Sequence, residues 1–348
     1  MSVWGIGREN SPIMIVGEYF DRSDVEPFSG VSGEPLIKCL AEAGLMLGDC
    51  YRTCVLNLRP PGDFLPNLIA RSKKEVTPFH KLLHNRFCLP SVHEEYQRLQ
   101  EEITRIQPKI IIAAGDLALW ALTSMSNILK WRGSVFPFNQ GGVLTKVLVA
   151  TLNPATTLYV PEQRAMLVAD LRRVANLLPR VGSWQPAEAR WQFTIRPNFK
   201  TVMDILGSLT KRLDSKIPLW IDFDLETKAG HIACAGVSWT KENALCIPFM
   251  CERSTQGYWS SEEEARVVFA LYKLLTHPIV RVRGQNLLYD CQHTYRHWHF
   301  VPRVVQDTLI SFHTCFAGLP KRLDFQASLF CENYMQWKPD KTSWKEGG

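Results

Sequence analysis

The 348-residue chain has no run approaching 18 consecutive apolar residues, which by length excludes a membrane-spanning helix. Its opening residues, Met1-Ser2-Val3-Trp4-Gly5, lack the basic region and apolar core of a secretory signal, so a cytoplasmic protein is expected. Ten cysteines contain no CxxC pair; neither a zinc ribbon nor a disulfide framework is expected, and reduced, mostly buried thiols are. Internal repeats and low-complexity tracts are missing, and a composition 46% hydrophobic and 21% charged excludes disorder, collagen and coiled coil. Charge of one sign is also scarce. Forty basic residues against 34 acidic ones give +6, a mild bias toward polyanions that identifies no partner. The length predicts two domains, each able to bury its own core.

Over the first 180 residues, strands and helices alternate. Apolar runs at Pro12–Glu18, Tyr51–Leu58, Pro108–Gly115 and Val147–Leu152 read as buried strands. Helical periodicity covers Pro35–Leu45, Val92–Gln107, Asp116–Ser124 and Glu162–Leu178. This order predicts an open parallel sheet with helices on both faces, whose ligand sites gather at the carboxyl ends of the strands. Between residues 50 and 90, Arg52, Arg59, Arg71, Lys73, Lys74, Lys81 and Arg86 recur among Pro, Phe and His, a pattern suited to a phosphate-tracking loop or to a solvated face. A shift to Trp, Pro and Gly at residues 179–198 marks a linker, placed at 183–198 between domains of residues 1–182 and 199–348.

In the second domain a helix is expected at Phe199–Leu213, an acidic strand at Leu219–Thr227, two further meander strands at Ala233–Trp239 and Ala244–Phe249, a helix at Ser261–Leu275 and a strand at Ile279–Arg283. Asp224 and Glu226, at i and i+2 of one strand, point to the same face and could share a hard cation. Asp290 follows at the start of a helix. Paired Mg²⁺ or Mn²⁺ ions on such oxygens activate water in phosphodiester cleavage. An acid-x-acid pattern alone also fits a solvated strand face. His293, His297 and His299 have spacing that suits either zinc or solvated, DNA-facing imidazoles.

The run WIDFDLETKAGHIACAGVSWTKENALCIPF, then GQNLLYD, then Asp307-Thr308-Leu309-Ile310, resembles the 3′-5′ proofreading exonuclease domain of family A DNA polymerases, a DEDD exonuclease of ribonuclease H-like α/β fold. The resemblance implies that Asp224, Glu226 and Asp290 are catalytic metal ligands for two Mg²⁺ or Mn²⁺ ions. It places Gln285 and Asn286 against DNA and gives Asp307 no metal role. The family's third motif, Tyr-x-x-x-Asp, is not matched, because Tyr334 and Asp340 are too far apart and the chain stops at Gly348. A longer polymerase, or a second polypeptide, is expected to supply it.

The segments PIMIVGE, PFSGVSGEPLIKCLAEAGL, YRTCVLNLRPPGD, IQPKIIIAAGDLALWAL, WRGSVF and VLVATLNPATTLYVPEQ resemble, in order, the uracil-DNA glycosylase superfamily, nearest its family 4 type. The chemistry departs from that family. Gly17-Glu18-Tyr19-Phe20-Asp21 stands where the family has Gly-Glu-Ala-Pro-Gly, putting bulk in the loop that positions the attacking water, Asn153-Pro154-Ala155 replaces His-Pro-Ser, and the iron-sulfur cysteines are missing, so no cluster is expected. Glu18, Tyr19, Phe28 and Asn153 would form a vestigial pocket with Phe28 at the base-stacking position. Arg59, Lys73, Lys74 and Arg132 are the expected DNA contacts.

The combined expectation is the exonuclease part of a phage-type DNA polymerase, acting in an infected bacterial cell on single-stranded 3′ ends and primer-template DNA beside a polymerase domain or subunit, with no membrane partner. The alternatives are a non-catalytic DNA-binding accessory subunit and an active uracil-DNA glycosylase.

Overall fold

The computed structural model describes residues 4–20, 23–140, 143–186, 190–251, 257–332 and 334–336. Its contacts divide the chain into two α/β units, Met1–Ala187 with Ala327–Gly348, and Glu188–Gln326.

In the first unit the elements are β1 (Ile13–Tyr19), α1 (Gly33–Glu42), β2 (Cys50–Leu56), a small hairpin β3 (Lys81–Leu83) and β4 (Arg86–Cys88), α2 (Pro90–Ile106), β5 (Ile110–Ala114), α3 (Asp116–Thr123), α4 (Ile128–Trp131), β6 (Val135–Gln140), β7 (Val143–Thr151) and α5 (Glu162–Leu177). The main sheet runs β2-β1-β5-β7-β6, parallel except for β6. The parallel strands are apolar without alternation because both faces are covered. Val92, Leu99 and Ile103 of α2 and Trp120 of α3 join a core on one face; Leu36 and Leu40 of α1 and Leu167 and Leu171 of α5 join a core on the other. Helices on both faces are therefore present as expected. The one antiparallel strand, β6, contains Pro137, which is tolerated on an edge because it withholds a ladder donor. The order reverses between β1 and β5, and this switch point opens a crevice at their carboxyl ends.

One carboxylate balances two buried cations in this unit. Asp170 of α5 is fully buried and accepts from Arg132 Nε (3.0 Å), from Arg132 Nη2 and from Thr151 Oγ1 (2.8 Å), with Arg173 Nη1 at 3.5 Å. Arg173 then donates to the carbonyls of Ser328 (2.7 Å), Cys331 (2.9 Å) and Glu332 (3.1 Å). These bonds, and Val135 N to Tyr334 O at 2.8 Å, are why residues 327–332 and 334–336 pack with the first unit, whereas the sequence reading placed them in the second domain.

The second unit contains β8 (Gln192–Ile195), α6 (Phe199–Lys211), β9 (Leu219–Lys228), β10 (His231–Ser238), β11 (Asn243–Pro248), α7 (Ser261–Leu275), β12 (Val280–Gly284), α8 (Leu287–Trp298), β13 (Val304–Asp307) and α9 (Thr308–Cys315); α10 (Leu323–Phe330) straddles the division. The sheet order is β13-β12-β9-β10-β11-β8. β9, β10 and β11 form the expected antiparallel meander, and β12 and β13 add in parallel. β8, inside the stretch read as a linker, pairs in parallel with β11. Along β9 the residues alternate: Leu219, Ile221, Phe223 and Leu225 are buried with Val202 and Leu206 of α6 and Val267 and Leu271 of α7. Each such side chain contributes about 1.5–3 kcal/mol. A capping box starts α7, Ser260 Oγ accepting from Glu263 N and Glu263 Oε2 from Ser260 N.

Replacing Asp170 with Asn should lower the unfolding free energy by about 3–5 kcal/mol, because two buried guanidiniums lose their counter-charge. Lys200→Ala, at an exposed i,i+4 pair with Asp204, should change it by less than about 0.5 kcal/mol. Urea unfolding of the two variants checks this; equal losses would mean that Asp170 carries no such charge balance.

Candidate functional site

The acid set gathers where the sheet of the second unit is interrupted. β12 pairs with β9 from Leu219 to Asp222 and ends at Gly284, so the edge of β9 beyond Asp222 has no strand partner on that side among the described residues. The freed N–H of Leu225 is taken instead by the carboxylate of Asp290, whose Oδ1 accepts it at 2.7 Å. Leu225 stands between Asp224 and Glu226, so this one bond brings Asp290 to the strand segment that carries the pair. Asp224 and Glu226 are exposed on the face opposite the core; Asp290 is 2% exposed. Burial pushes the Asp290 carboxyl up to about 7, the Leu225 N–H opposes the shift, and the charges of Asp224 and Asp307 reinforce it.

Asp307 holds this geometry in place. Its Oδ1 accepts from Asn286 N (3.0 Å) and Leu309 N (2.8 Å), and its Oδ2 from Leu287 N (2.8 Å), satisfying the otherwise unpaired amides at the start of α8 and α9. Asn286 takes the left-handed conformation (φ 58°) that turns the chain from β12 into α8, and its side chain is exposed. Gln285 is a structural tie, donating to Lys321 O (2.7 Å) and accepting from Thr308 Oγ1. A cavity of about 540 Å³ lies beside Asp224, with Gly236, Ser238, Ala244 and Cys246 on its floor and Phe193 and Ile195 along one side. Asp222, on the same face as the acid pair, is tied to Arg283 (Nη2 to Oδ2, 2.9 Å), which also lies over Trp220. Sequence reading missed this pair, although Asp222 continues the alternation of Asp224 and Glu226.

The donors suit a hard cation in type. Among the described residues, however, no group of three or more His, Cys, Asp or Glu side chains is arranged to hold a metal ion. His293 and His297 stack at 5.8 Å along α8, and His297 Nε2 lies 3.0 Å from Gly230 O; His299 follows the helix in a left-handed turn.

The first unit places Glu18 at its switch point, at the end of β1. Glu18 Oε1 accepts from Leu117 N (3.0 Å) at the start of α3, and Oε2 from Asn153 Nδ2 (2.7 Å); Asn153 Oδ1 accepts from Ala155 N (3.0 Å). Gly115 (φ 107°) permits this closeness, since a Cβ there would stand 2.6 Å from the Glu18 carboxyl carbon. Glu18 and Asn153 thus occupy each other. Phe28 is buried, and its ring packs so closely on β1 that a Cβ on Gly17 would lie 2.7 Å from Cζ. Tyr19 is half-buried against the core, and Asp21 lies outside the described residues.

Arg59, Lys73 and Lys74 are exposed, the lysines in a tight turn at Lys73–Glu75. Arg132 corrects its expectation as a DNA contact: 2% exposed, it donates to Asp170 and to Ser328 Oγ (2.7 Å) and has no surface to offer. Sequence reading also passed over Leu158 and Tyr159, 52% and 80% exposed just beyond Asn153. The apolar run after Pro154 in a loop was the available signal. Tyr334 is described, but Asp340 of the mismatched third motif is not. No helix among the described residues is long and apolar enough to cross a membrane.

The Uracil DNA glycosylase superfamily model matches residues 4–175. A type-4 uracil-DNA glycosylase of Saccharolobus solfataricus is 31% identical over 187 residues, 51% of this chain and 76% of that protein. A DNA polymerase of Bacillus phage SP01 is 27% identical over 178 residues, 50% of this chain and 16% of the polymerase. Among solved structures, Escherichia coli RNase D, an exoribonuclease, overlays with a TM-score of 0.30 and 10% identity over 44% of this chain and 36% of that one.

In buffer containing a chelator, Asp290→Asn should stabilise the protein more at pH 8 than at pH 5. The folded pKa lies above the unfolded value, so the stability linked to the protonated carboxyl is fully present below the unfolded pKa and lost as pH rises through about 7. The variant's advantage should widen by about 2–4 kcal/mol across that window, measured by denaturant unfolding at both pH values. An advantage independent of pH would show that Asp290 ionises normally.

Proposed function

The chain belongs, through residues 4–175, to the uracil DNA glycosylase superfamily, and we propose that it works in DNA processing as the 3′-5′ proofreading exonuclease part of a phage-type family A DNA polymerase. In this reading the glycosylase-like unit holds DNA without excising a base. The observation that carries the proposal is the Asp290 carboxylate on the amide of Leu225, which gathers three acids around one residue of β9. The similarity to a phage DNA polymerase supports the same reading.

Asp224, Glu226 and Asp290 would hold Mg²⁺ or Mn²⁺ at the exonuclease site. Bound there, the ions would supply Lewis-acid activation of water and stabilise the leaving oxygen. Asp224 and Glu226, exposed on the open face, offer their oxygens to solvent and substrate; Asp290, fixed by Leu225 and the first turn of α8, sets the third position. The last nucleotide of a frayed 3′ end would enter the cavity beside Asp224, over a floor of small side chains. Asn286 would meet the strand with its exposed amide, and a polymerase partner would strengthen a metal site that Asp224, Glu226 and Asp290 would form by themselves. The compartment in this reading is the cytoplasm of an infected bacterial cell.

In the first unit, Arg59, Lys73 and Lys74 would meet phosphates, where each contact adds to affinity and to its salt dependence. The mutual bond of Glu18 and Asn153 and the buried ring of Phe28 argue against uracil excision. One observation favours a second reading, a DNA-binding accessory subunit without catalysis: no three-acid metal group stands ready-made among the described residues.

The test is degradation of 5′-labelled single-stranded DNA with Mg²⁺ or Mn²⁺. The wild-type chain should shorten the strand from its 3′ end, and Asp224→Ala/Glu226→Ala should do so about a hundredfold more slowly or not at all. Neither protein should release uracil from uracil-containing DNA. If neither cuts while both bind DNA in a salt-sensitive way, the accessory reading replaces the nuclease.

A further inference from the structure

Cys234 and Cys246 lie on β10 and β11, which pair antiparallel. In that register Cys246 stands opposite Gly236 and Cys234 opposite Pro248, so the two cysteines occupy diagonal positions on one face of the sheet. The face is the one that carries the acids, since Cys234 also stands opposite Glu226 and Gly236 opposite Asp224 on β9. Both thiols are half-buried, and Cys246 forms part of the cavity beside Asp224. A diffusible oxidant that enters the cavity therefore reaches one sulfur with a second at the diagonal position on the neighbouring strand.

The other cysteines offer no such arrangement. Cys39, Cys50, Cys54 and Cys88 are buried in the first unit, and burial pushes each of those thiols up. Cys246 moves the other way, because the neighbouring Cys234 thiol and the positive charge of Arg196 favour its thiolate. A thiol with that environment and some access to solvent is the kind that reacts with peroxides.

We propose that Cys246 and Cys234 form a peroxide-responsive pair that closes to a reversible disulfide on the floor of the cavity. In the first step the Cys246 thiolate attacks hydrogen peroxide; an S–O bond forms, the O–O bond breaks and hydroxide leaves, giving a sulfenic acid. In the second, the Cys234 sulfur attacks the Cys246 sulfur. The S–S bond forms, the S–O bond breaks, and the oxygen departs as water with the Cys234 proton. Two electrons pass from the thiols to peroxide, and a dithiol reductant returns them. The closed bond would cross-link β10 to β11, with Cys234 on the strand next to Asp224 and directly opposite Glu226, drawing together the strands that carry the cavity floor.

The test uses the full chain, treated with hydrogen peroxide, alkylated and digested with trypsin. Cleavage after Lys228, Lys241 and Arg253 puts Cys234 and Cys246 on separate peptides, 229–241 and 242–253, the second of which also contains Cys251. The expected product is the two peptides joined, lighter by two hydrogens than their sum, separated again by dithiothreitol, retained in Cys251→Ser and lost in Cys246→Ser. In Cys234→Ser the sulfenic acid should persist, and dimedone should label Cys246 about tenfold faster than exposed Cys315. Fragmentation of the joined wild-type peptides locates the bond even if a variant does not fold. A bond mapped to Cys251, or oxidation of Cys315 with Cys234 and Cys246 still alkylated, would overturn the proposal.

Discussion

Two guanidiniums share one buried carboxylate in the first unit, and the path of the chain follows from how the remaining positive charge is met. Asp170 pairs closely with Arg132, leaving Arg173 to find its acceptors among carbonyls. Those carbonyls, at Ser328, Cys331 and Glu332, belong to the final turn of α10 and the residues beyond it, where a helix exposes its unpaired acceptors and the negative end of its dipole. The chain thus leaves the first unit for about 140 residues and returns to satisfy a cation left behind. Gly133 (φ 79°) admits the arrangement, for a Cβ there would stand 2.9 Å from both Arg173 Nη1 and the Ser328 carbonyl oxygen.

The second unit depends on a related economy of backbone donors. A strand that stops early leaves amides without acceptors, and a buried unpaired amide is costly. Asp290 resolves this for Leu225, and Asp307 for the first turns of α8 and α9. Both carboxylates therefore have structural duties. Asp290 also carries a burial penalty that its neighbours' charges increase. A positive ion placed among these acids would relieve that penalty, which links the interrupted sheet to the proposed chemistry.

The layout of strands and helices was legible because both periodicities are strong here: apolar runs in β1, in β5 and from Val147 to Ala150 of β7, and clean alternation in β9. β6 was not legible, since Pro137 interrupts its pattern and only its edge position makes that acceptable. β8 is four residues long and hidden among Trp and Pro; it exists because β11 offers an open edge. Asp224, Glu226 and Asp290 could be assembled from spacing and resemblance, but the bond through Leu225 could not, because it depends on where β12 ends. Arg132 looked like any other arginine in a loop. Its partners lie 38 and 196 residues away, and no local pattern encodes a pairing over that separation. Phe28 matched its motif position, yet its left-handed backbone (φ 59°) and the bare backbone of Gly17 turn the ring into the core.

The return of residues 327–332 and 334–336 to the first unit also bears on how the protein is made. Synthesis runs from the amino terminus at roughly 5–20 residues per second, so α5 emerges well before the carbonyls that Arg173 requires. During that interval the guanidinium lacks those acceptors, and the edge of β6 lacks the bond that Tyr334 later supplies. The second unit is in effect an insertion within the first. It can complete its own meander and core on the ribosome while the first waits, so the half that begins to fold earliest is the half that finishes last.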